Sequence, residues 1–359
     1  MASKYVYVLD DHVQTEKQQF PDLAADLLEH KMQIGKYYSN KKWDKFKKQT
    51  NSYELIFTSG HTLPSLSSYL PISRSFFKHW EILHDFKDEI LTKDKMRIAC
   101  LAEGPGGFIE AFVNFRQHGN DTIFGMTLIS QDRCVPNWKL SNQMIEQNNI
   151  TLLYGKDKTG SLYNDYNIFD TVEKIGQGTC DYITADGGFD FSNNFNNQEE
   201  LSINLISKEI QCALLLQKKG GAFLLKIYDI HLKRTKELLY VLKQNYRVLN
   251  FIKPLTSRPA NSEKYVLCLD FHGDPSQSTL PMDDFLLKLD EFNTIFICRQ
   301  IININMSLMS IHYNHDYTET LKKQLKKGIK WLFKYNIPVT KDALSFYKMT
   351  LSEPRGKNI

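Results

Sequence analysis

The stretch R-I-A-C-L-A-E-G-P-G-G-F, Arg97 to Phe108, decides the fold. Its first six residues are a short apolar run, of the length and composition of a buried strand. Glycines at 104, 106 and 107 then interrupt it. Phe108, Ala111, Phe112 and Phe115 follow at the spacing of one helical face. A strand, a tight turn and a helix open an α/β unit, and ligands in open α/β sheets collect at the carboxyl ends of the strands. The glycines let the backbone turn sharply and are expected to leave room for a ligand against it. The loop is not G-x-G-x-x-G and carries no Walker lysine, which argues against a dinucleotide or kinase-type phosphate site.

The same alternation extends outward. Residues 76–90 read as a helix. Apolar runs at 123–128, 151–154, 182–185 and 222–226 read as strands, with a long helix over 198–218 between the last two. Runs at 246–252 and 264–269 are close enough to pair as a late antiparallel hairpin. Strands separated by helices predict an α/β protein with a Rossmann-like, mainly parallel sheet and helices on both faces. Residues 1–70 form an N-terminal accessory segment in this reading. Residues 71–270 are the central domain, and 271–359 a mostly helical, basic extension.

Of 359 residues, 42% are hydrophobic and 24% charged, which predicts a packed core rather than disorder. The opening M-A-S-K-Y-V-Y-V does not read as a secretory signal, and no stretch reads as the roughly 20 apolar residues of a membrane span. No membrane partner is expected, and the setting is cytosolic or nuclear. The six cysteines include no C-x-x-C pair, so no zinc knuckle and no other metal site is expected. Cys100, Cys212, Cys268 and Cys298 lie in apolar runs and read as buried thiols. The net charge of +4 is uneven, since residues 321–359 carry nine Lys and one Arg against Asp342 and Glu353. Between Lys31 and Lys48, lysines 31, 36, 41, 42, 45, 47 and 48 alternate with Tyr37, Tyr38, Trp43 and Phe46. That composition suits single-stranded nucleic acid, with charge for phosphates and aromatic faces for bases. It equally suits an amphipathic helix with buried aromatics.

Three further segments share the grammar of the opening stretch. T-A-D-G-G-F ends an apolar strand with Asp186 and two glycines. G-G-A-F-L-L-K ends another with Lys226, a buried position that asks for a carboxylate partner. S-R-S-F-F-K ends at Lys78, and S-R-P-A-N-S-E ends at Glu263. In this order, over about residues 70–270, the segments resemble the FtsJ-type RNA ribose 2′-O-methyltransferases. The resemblance is closest to the cap-methylating branch, which includes viral proteins of large DNA viruses. It implies a catalytic tetrad of Lys78, Asp186, Lys226 and Glu263. It also implies S-adenosylmethionine as cofactor, bound by Glu103, Gly104, Pro105, Gly106, Gly107, Phe108 and Asp186, with Asp157 of G-K-D-K-T-G near the adenine.

The second strand, F-G-M-T-L-I-S, lacks the acid that often holds the cofactor ribose. A lysine assists deprotonation of a ribose hydroxyl if its pKa is lowered, and Lys78 beside Lys226 is expected to do this. The implied partner is the 5′ end of capped mRNA, with other capping or transcription proteins beside it. The implied setting is the cytoplasm, including a viral factory or virion. Two alternatives are a ribosomal or transfer RNA 2′-O-methyltransferase, and an RNA-binding subunit of a capping or polymerase complex.

Overall fold

Period-two alternation assigns the two faces of the sheet. Ala99 and Leu101 join one apolar cluster, and Ile98 and Cys100 join the other. A computed structural model describes residues 5–10, 23–38, 42–58, 64–132, 134–189, 197–313 and 317–352. Among these, eight strands form one sheet: β1 (Tyr5–Leu9), β2 (Arg97–Leu101), β3 (Thr122–Met126), β4 (Ile150–Leu153), β5 (Cys180–Ala185), β6 (Gln217–Ile227), β7 (Tyr246–Lys253) and β8 (Lys264–Phe271). Their order is β1-β7-β8-β6-β5-β2-β3-β4. Strands β4, β3, β2, β5 and β6 run parallel, and β8, β7 and β1 add antiparallel pairings. The α/β architecture and the late hairpin are as expected from the sequence.

The chain divides into two units that cut across the sequence-based boundaries. The first comprises Met1–Leu28, Ile72–Ser257 and Ser262–Cys298. It recruits β1 from the accessory segment because the Y-V-Y-V-L run pairs with the edge of β7. Tyr7 stacks on Phe292 with ring centroids 5.0 Å apart. Helices α3 (Ser75–Asp85), α4 (Lys87–Ile90), α5 (Gly107–Arg116) and α6 (Asn142–Gln147) cover the Ile98 face. Helices α7 (Asp165–Ile175), α8 (Gln198–Leu216), α9 (Lys233–Asn245) and the start of α10 (Met282–His312) cover the Ala99 face. Fully buried phenylalanines such as Phe108, Phe112, Phe223 and Phe251 anchor both layers, each worth about 1.5–3 kcal/mol of burial.

The second unit comprises Glu29–Pro71, Arg258–Asn261 and Arg299–Ile359. It contains α2 (Lys42–Thr50), α11 (Thr318–Lys334), α12 (Lys341–Ser352) and most of α1 (Ala24–Tyr38). The buried Gln324 amide reaches the carbonyls of Lys48, Gln49 and Asn51, closing the C-terminal end of α2. Arg258 forms a two-point ion pair with Glu54, its Nε 3.0 Å from Oε2 and its guanidinium 2.8 Å from Oε1.

Several expectations change. Trp43 and Phe46 are buried, so these aromatics form core rather than a stacking surface, and Lys31 is buried with them. Lys41 lies outside the described residues, as does the side chain of Tyr38. Cys298 is exposed, while Cys100, Cys180, Cys212 and Cys268 are buried. Helix α10 has the length and apolar composition of a membrane span, contrary to the reading of the sequence. Its Phe285, Leu289, Phe292 and Phe296 are nevertheless buried in the core cluster.

Candidate active site

The strand order reverses at β2. The chain moves from β2 out to β3 and β4, then returns to place β5 on the other side of β2. The loops leaving β2 and β5 therefore border a crevice at the carboxyl ends of the strands. They are tied together where the Asp186 N–H donates to the Leu101 carbonyl at 3.3 Å.

Alternation along β6 positions Lys226. Ala222 and Leu224 line the α3/α5 face, and Lys226 is the next residue on it. Its Nζ lies 3.2 Å from Asp186 Oδ1 and donates to the Asp186 carbonyl at 2.6 Å. Tyr265, its cross-strand neighbour on β8, donates its hydroxyl to Asp186 Oδ1 at 2.9 Å. Lys78 on α3 lies 2.8 Å from both carboxylate oxygens of Glu263. Ser257 Oγ also donates to Glu263, at 2.8 Å. Lys78, Asp186, Lys226 and Glu263 thus form two ion pairs. Charge binds the pairs together, because Glu263 feels both Lys78 and Lys226.

Helix α3 explains why Lys78 points where it does. His79 is buried, and one ring nitrogen, Nδ1, faces the Phe108 carbonyl at 2.9 Å. A carbonyl only accepts, so Nδ1 carries the hydrogen and Nε2 accepts from the Tyr182 hydroxyl at 3.0 Å. Burial, opposed by the Phe108 carbonyl, brings the imidazole down to about 3, and it stays neutral. Glu81 accepts from the Leu255 and Thr256 N–H groups at 2.8 and 3.3 Å. Arg74 donates to the Thr256 carbonyl at 3.1 Å. One helix therefore holds both Lys78 and the segment leading to Glu263.

The electrostatics correct one expectation. Burial alone would lower Lys226, but Asp186, Tyr228 and Glu263 outweigh it, and its pKa is raised. Carboxylates, not the neighbouring lysine, set the protonation of Lys226, which is an ammonium in this arrangement. Burial works to raise Glu263, and Lys78, Lys226 and Lys253 overcome it, bringing the carboxyl to about 2. The lysine that is lowered is Lys253 on β7, to about 7, by burial against the pull of Glu263. Its Nζ donates to the Glu263 carbonyl.

The glycine loop after β2 also differs from expectation. The space at its glycines is taken by protein. A β-carbon at Gly104 would strike the Pro136 carbonyl, and one at Gly107 would strike the Ser73 and Ser75 hydroxyls. One at Gly106 would lie 2.9 Å from Leu140, at a φ of +113° that favours glycine. Glu103 is buried, accepts from Thr184 Oγ1 at 2.7 Å, and is raised by burial and by Asp186. Phe108 is core and stacks on His79. Pro105 accepts from the Lys139 N–H at 3.0 Å. At the end of β3, Thr127 accepts from the Gly104 N–H at 3.1 Å. Asp157 is exposed, and its carboxylate ties its loop to the start of α7 through Thr159, Asn164, Tyr166 and Asn167.

Sequence reasoning missed Tyr265, Lys253 and Glu209. Tyr265 was visible as the aromatic two residues after Glu263. Glu209 was visible as an acid on the apolar stripe of α8, between Ile206 and Ile210. Lys253 gave no signal beyond a lysine ending a strand.

The FtsJ-like methyltransferase family matches residues 71–271. The cap-specific mRNA (nucleoside-2′-O-)-methyltransferase 2 of Drosophila melanogaster is 28% identical over 246 residues, covering 63% of this chain and 34% of that protein. The cap-specific mRNA (nucleoside-2′-O-)-methyltransferase of Autographa californica nuclear polyhedrosis virus is 31% identical over 172 residues, covering 47% of this chain and 62% of that one. The chain thus spans less than two thirds of the length of either relative. A structure solved as a ribosomal RNA methyltransferase from Plasmodium falciparum aligns with a TM-score of 0.41 at 19% identity, over 55% of this chain and 97% of that one. With more than half of its length matched, the chain belongs to the FtsJ-like methyltransferase family.

Proposed function

We propose that this protein methylates the ribose 2′-hydroxyl of a 5′-terminal transcribed nucleotide of capped mRNA, with S-adenosylmethionine as donor. The observation that carries the reading is the convergence of Lys78, Asp186, Lys226 and Glu263 as two largely buried ion pairs beside the crevice. The cap-specific names of the relatives supply the substrate class.

The residues at the crevice suit a polar donor molecule. Glu103, a buried carboxyl raised by burial and by Asp186, offers it hydrogen bonds rather than a fixed charge. Glu103, the backbone of residues 104–107 and Asp186 would hold it. When bound, S-adenosylmethionine supplies an activated methyl group on a sulfonium, so no metal is called for.

The protein's task is alignment and charge. Lys226, held as an ammonium by Asp186, would stabilise the 2′-oxygen as it takes the methyl group, and the hydroxyl proton would pass to water. Glu263 keeps Lys78 and Lys226 from repelling each other. Tyr265 fixes the carboxylate of Asp186. Methyl transfer to matched capped and uncapped RNAs, followed by nuclease mapping, tests the reading. Label confined to the first nucleotides of capped RNA is the expected result, and transfer to neither RNA overturns it.

We further propose a cytoplasmic site of action, beside other capping or transcription proteins. The RNA beyond the reacting nucleotide meets the second unit, where α2 exposes Lys42, Lys45 and Lys48. On α11, Lys322, Lys323, Lys326, Lys327, Lys330 and Lys334 are exposed. Reversing three of them is expected to raise KM for long RNA and spare a short capped one, with the salt slope falling by roughly 0.7 per lost contact.

A further inference from the structure

Glu209 is a buried acid that the mechanism above does not use as a reacting group. It sits on α8, whose Ile206 and Ile210 pack in one cluster with Ala185 and Leu225, on the face opposite the tetrad. Its side chain is 1% exposed, and neither carboxyl oxygen has a hydrogen-bond partner. The group lies against the backbone of Gly187, where a β-carbon would collide with Oε1. The Gly187 N–H faces it without completing a hydrogen bond. The charged and titratable groups around it are Lys226, Asp186, Glu103, Tyr163, Tyr228 and Cys212. An unpaired buried carboxylate is costly, so its neutral form is the one this place tolerates.

We propose that Glu209 is a positioning residue: in its neutral, proton-bearing form it buttresses the Asp186–Gly188 turn from the far face of the sheet and leaves Lys226 paired with Asp186. Its consequence for catalysis rests on the methyl-transfer reading, but its protonation state does not. Burial, opposed by Lys226 and reinforced by Asp186, brings the carboxyl up to about 8. Above that pH a second negative charge stands behind the turn. Lys226 is then shared between two carboxylates, and the alignment of Asp186 is lost.

Two measurements test this, comparing the wild type with Glu209→Gln and Glu209→Ala. The first is thermal stability against pH. The unfolded carboxyl titrates near its ordinary value of about 4.5. Between there and about 8 the folded protein keeps a proton that the unfolded chain has released. Stability attributable to Glu209 therefore falls as pH rises through that window. Glutamine does not titrate, so the Tm of Glu209→Gln relative to wild type is expected to climb across the window and then level. A difference that stays flat with pH overturns the proposal, whether or not the protein transfers methyl groups.

The second measurement is kcat against pH on capped RNA. Glu209→Gln is expected to restore most of the kcat that Glu209→Ala loses at neutral pH, and to lack the alkaline decline of the wild type. A glutamine variant as slow as the alanine variant would make the carboxylate the working form and overturn the idea. An unchanged alkaline decline would also overturn it. Should the alanine variant fail to fold, the glutamine series decides alone. A wild type with no transfer activity would defeat the functional reading, while the stability series would still decide the state of Glu209.

Discussion

Two turns of this protein are written almost alike, E-G-P-G-G-F after β2 and A-D-G-G-F after β5, and they do different work. In the first, the glycines make way for scaffold: the Pro136 carbonyl at Gly104, Leu140 at Gly106, and the Ser73 and Ser75 hydroxyls at Gly107. In the second, they make way for chemistry. Gly187 admits the Glu209 carboxyl, and Gly188 admits the Tyr228 hydroxyl and the Lys226 ammonium, 2.5 and 3.1 Å from where a β-carbon would stand. A glycine-rich turn at a strand end therefore does not announce whether its freedom serves the fold or the reaction. The atoms that occupy the missing side chain's place decide it.

The largest effects are expected in the second turn. Lys226→Ala removes the ammonium that Asp186 holds, and kcat is expected to fall by about 10³ or more, the scale of losing a preorganised electrostatic contact. Gly188→Ala pushes a methyl group at Lys226 and Tyr228 without removing either, and a loss of about 10² follows from misplacement alone. Both variants are expected to keep their circular-dichroism spectra and donor affinity. A Gly188→Ala enzyme of normal kcat would break the distinction between the turns.

In the first turn the same substitution is expected to act on stability. Gly104→Ala drives a β-carbon into a backbone carbonyl that cannot swing aside, at about 1–3 kcal/mol as for other overpacked sites. Denaturant titration is the measurement, with kcat per folded molecule nearly preserved. A stable Gly104→Ala protein that had lost kcat would move this turn into the reacting machinery.

The fold was legible because its signals are local. The six-residue run ending at Ala102 and the glycines after it specify strand, turn and helix together. The pairing of β7 with β8 was visible because the apolar runs 246–252 and 264–269 lie close together in sequence. Lys78, Asp186, Lys226 and Glu263, which the structure brings together as two ion pairs, were visible as members of four recognisable segments. What sequence could not supply depends on which atoms meet. Lys226 reads as a lysine awaiting a lowered pKa, and only its distances from Asp186 reveal that it is held charged. Trp43 and Phe46 read equally as stacking faces or as core, since helical spacing is the same for both. Strand β1 was obscured because its partner β7 lies more than two hundred residues away in sequence.

The Lys78–Glu263 ion pair offers a pH test of intermediate size. Glu263 is brought to about 2 against burial by Lys78, Lys226 and Lys253. A depressed acid stabilises the fold above its unfolded value and loses that contribution as pH falls through its folded one. Glu263→Gln is thus expected to be less stable than wild type at neutral pH, with the gap closing between about 4.5 and about 2. Chemical denaturation at several pH values measures the gap. A gap that persists unchanged at the acid end would mean that Glu263 contributes shape rather than charge.

The smallest effect, and the sharpest use of the comparison, belongs to a third turn, G-K-D-K-T-G. Its acid, Asp157, was assigned by resemblance to the adenine of the donor. Its carboxylate is nonetheless engaged between its own loop and the start of α7: Oδ1 accepts from the Thr159 N–H and hydroxyl and from Asn167, and Oδ2 from Asn164 and Tyr166. These donors, the Thr159 N–H foremost, hold the carboxyl well below the usual range. That is the pattern of a turn-forming aspartate, which shapes a loop through its own backbone. If the turn belongs with the scaffold, Asp157→Asn and Asp157→Ala should loosen the loop first, seen as faster amide exchange around Thr159. Donor affinity should then decline in step, by less than roughly tenfold, with kcat at saturation unchanged. If the acid instead touches the donor directly, Asp157→Asn should cut affinity in calorimetry while amide exchange at Thr159 stays slow. The two variants measured together therefore sort this turn with the one after β2 or with the one after β5.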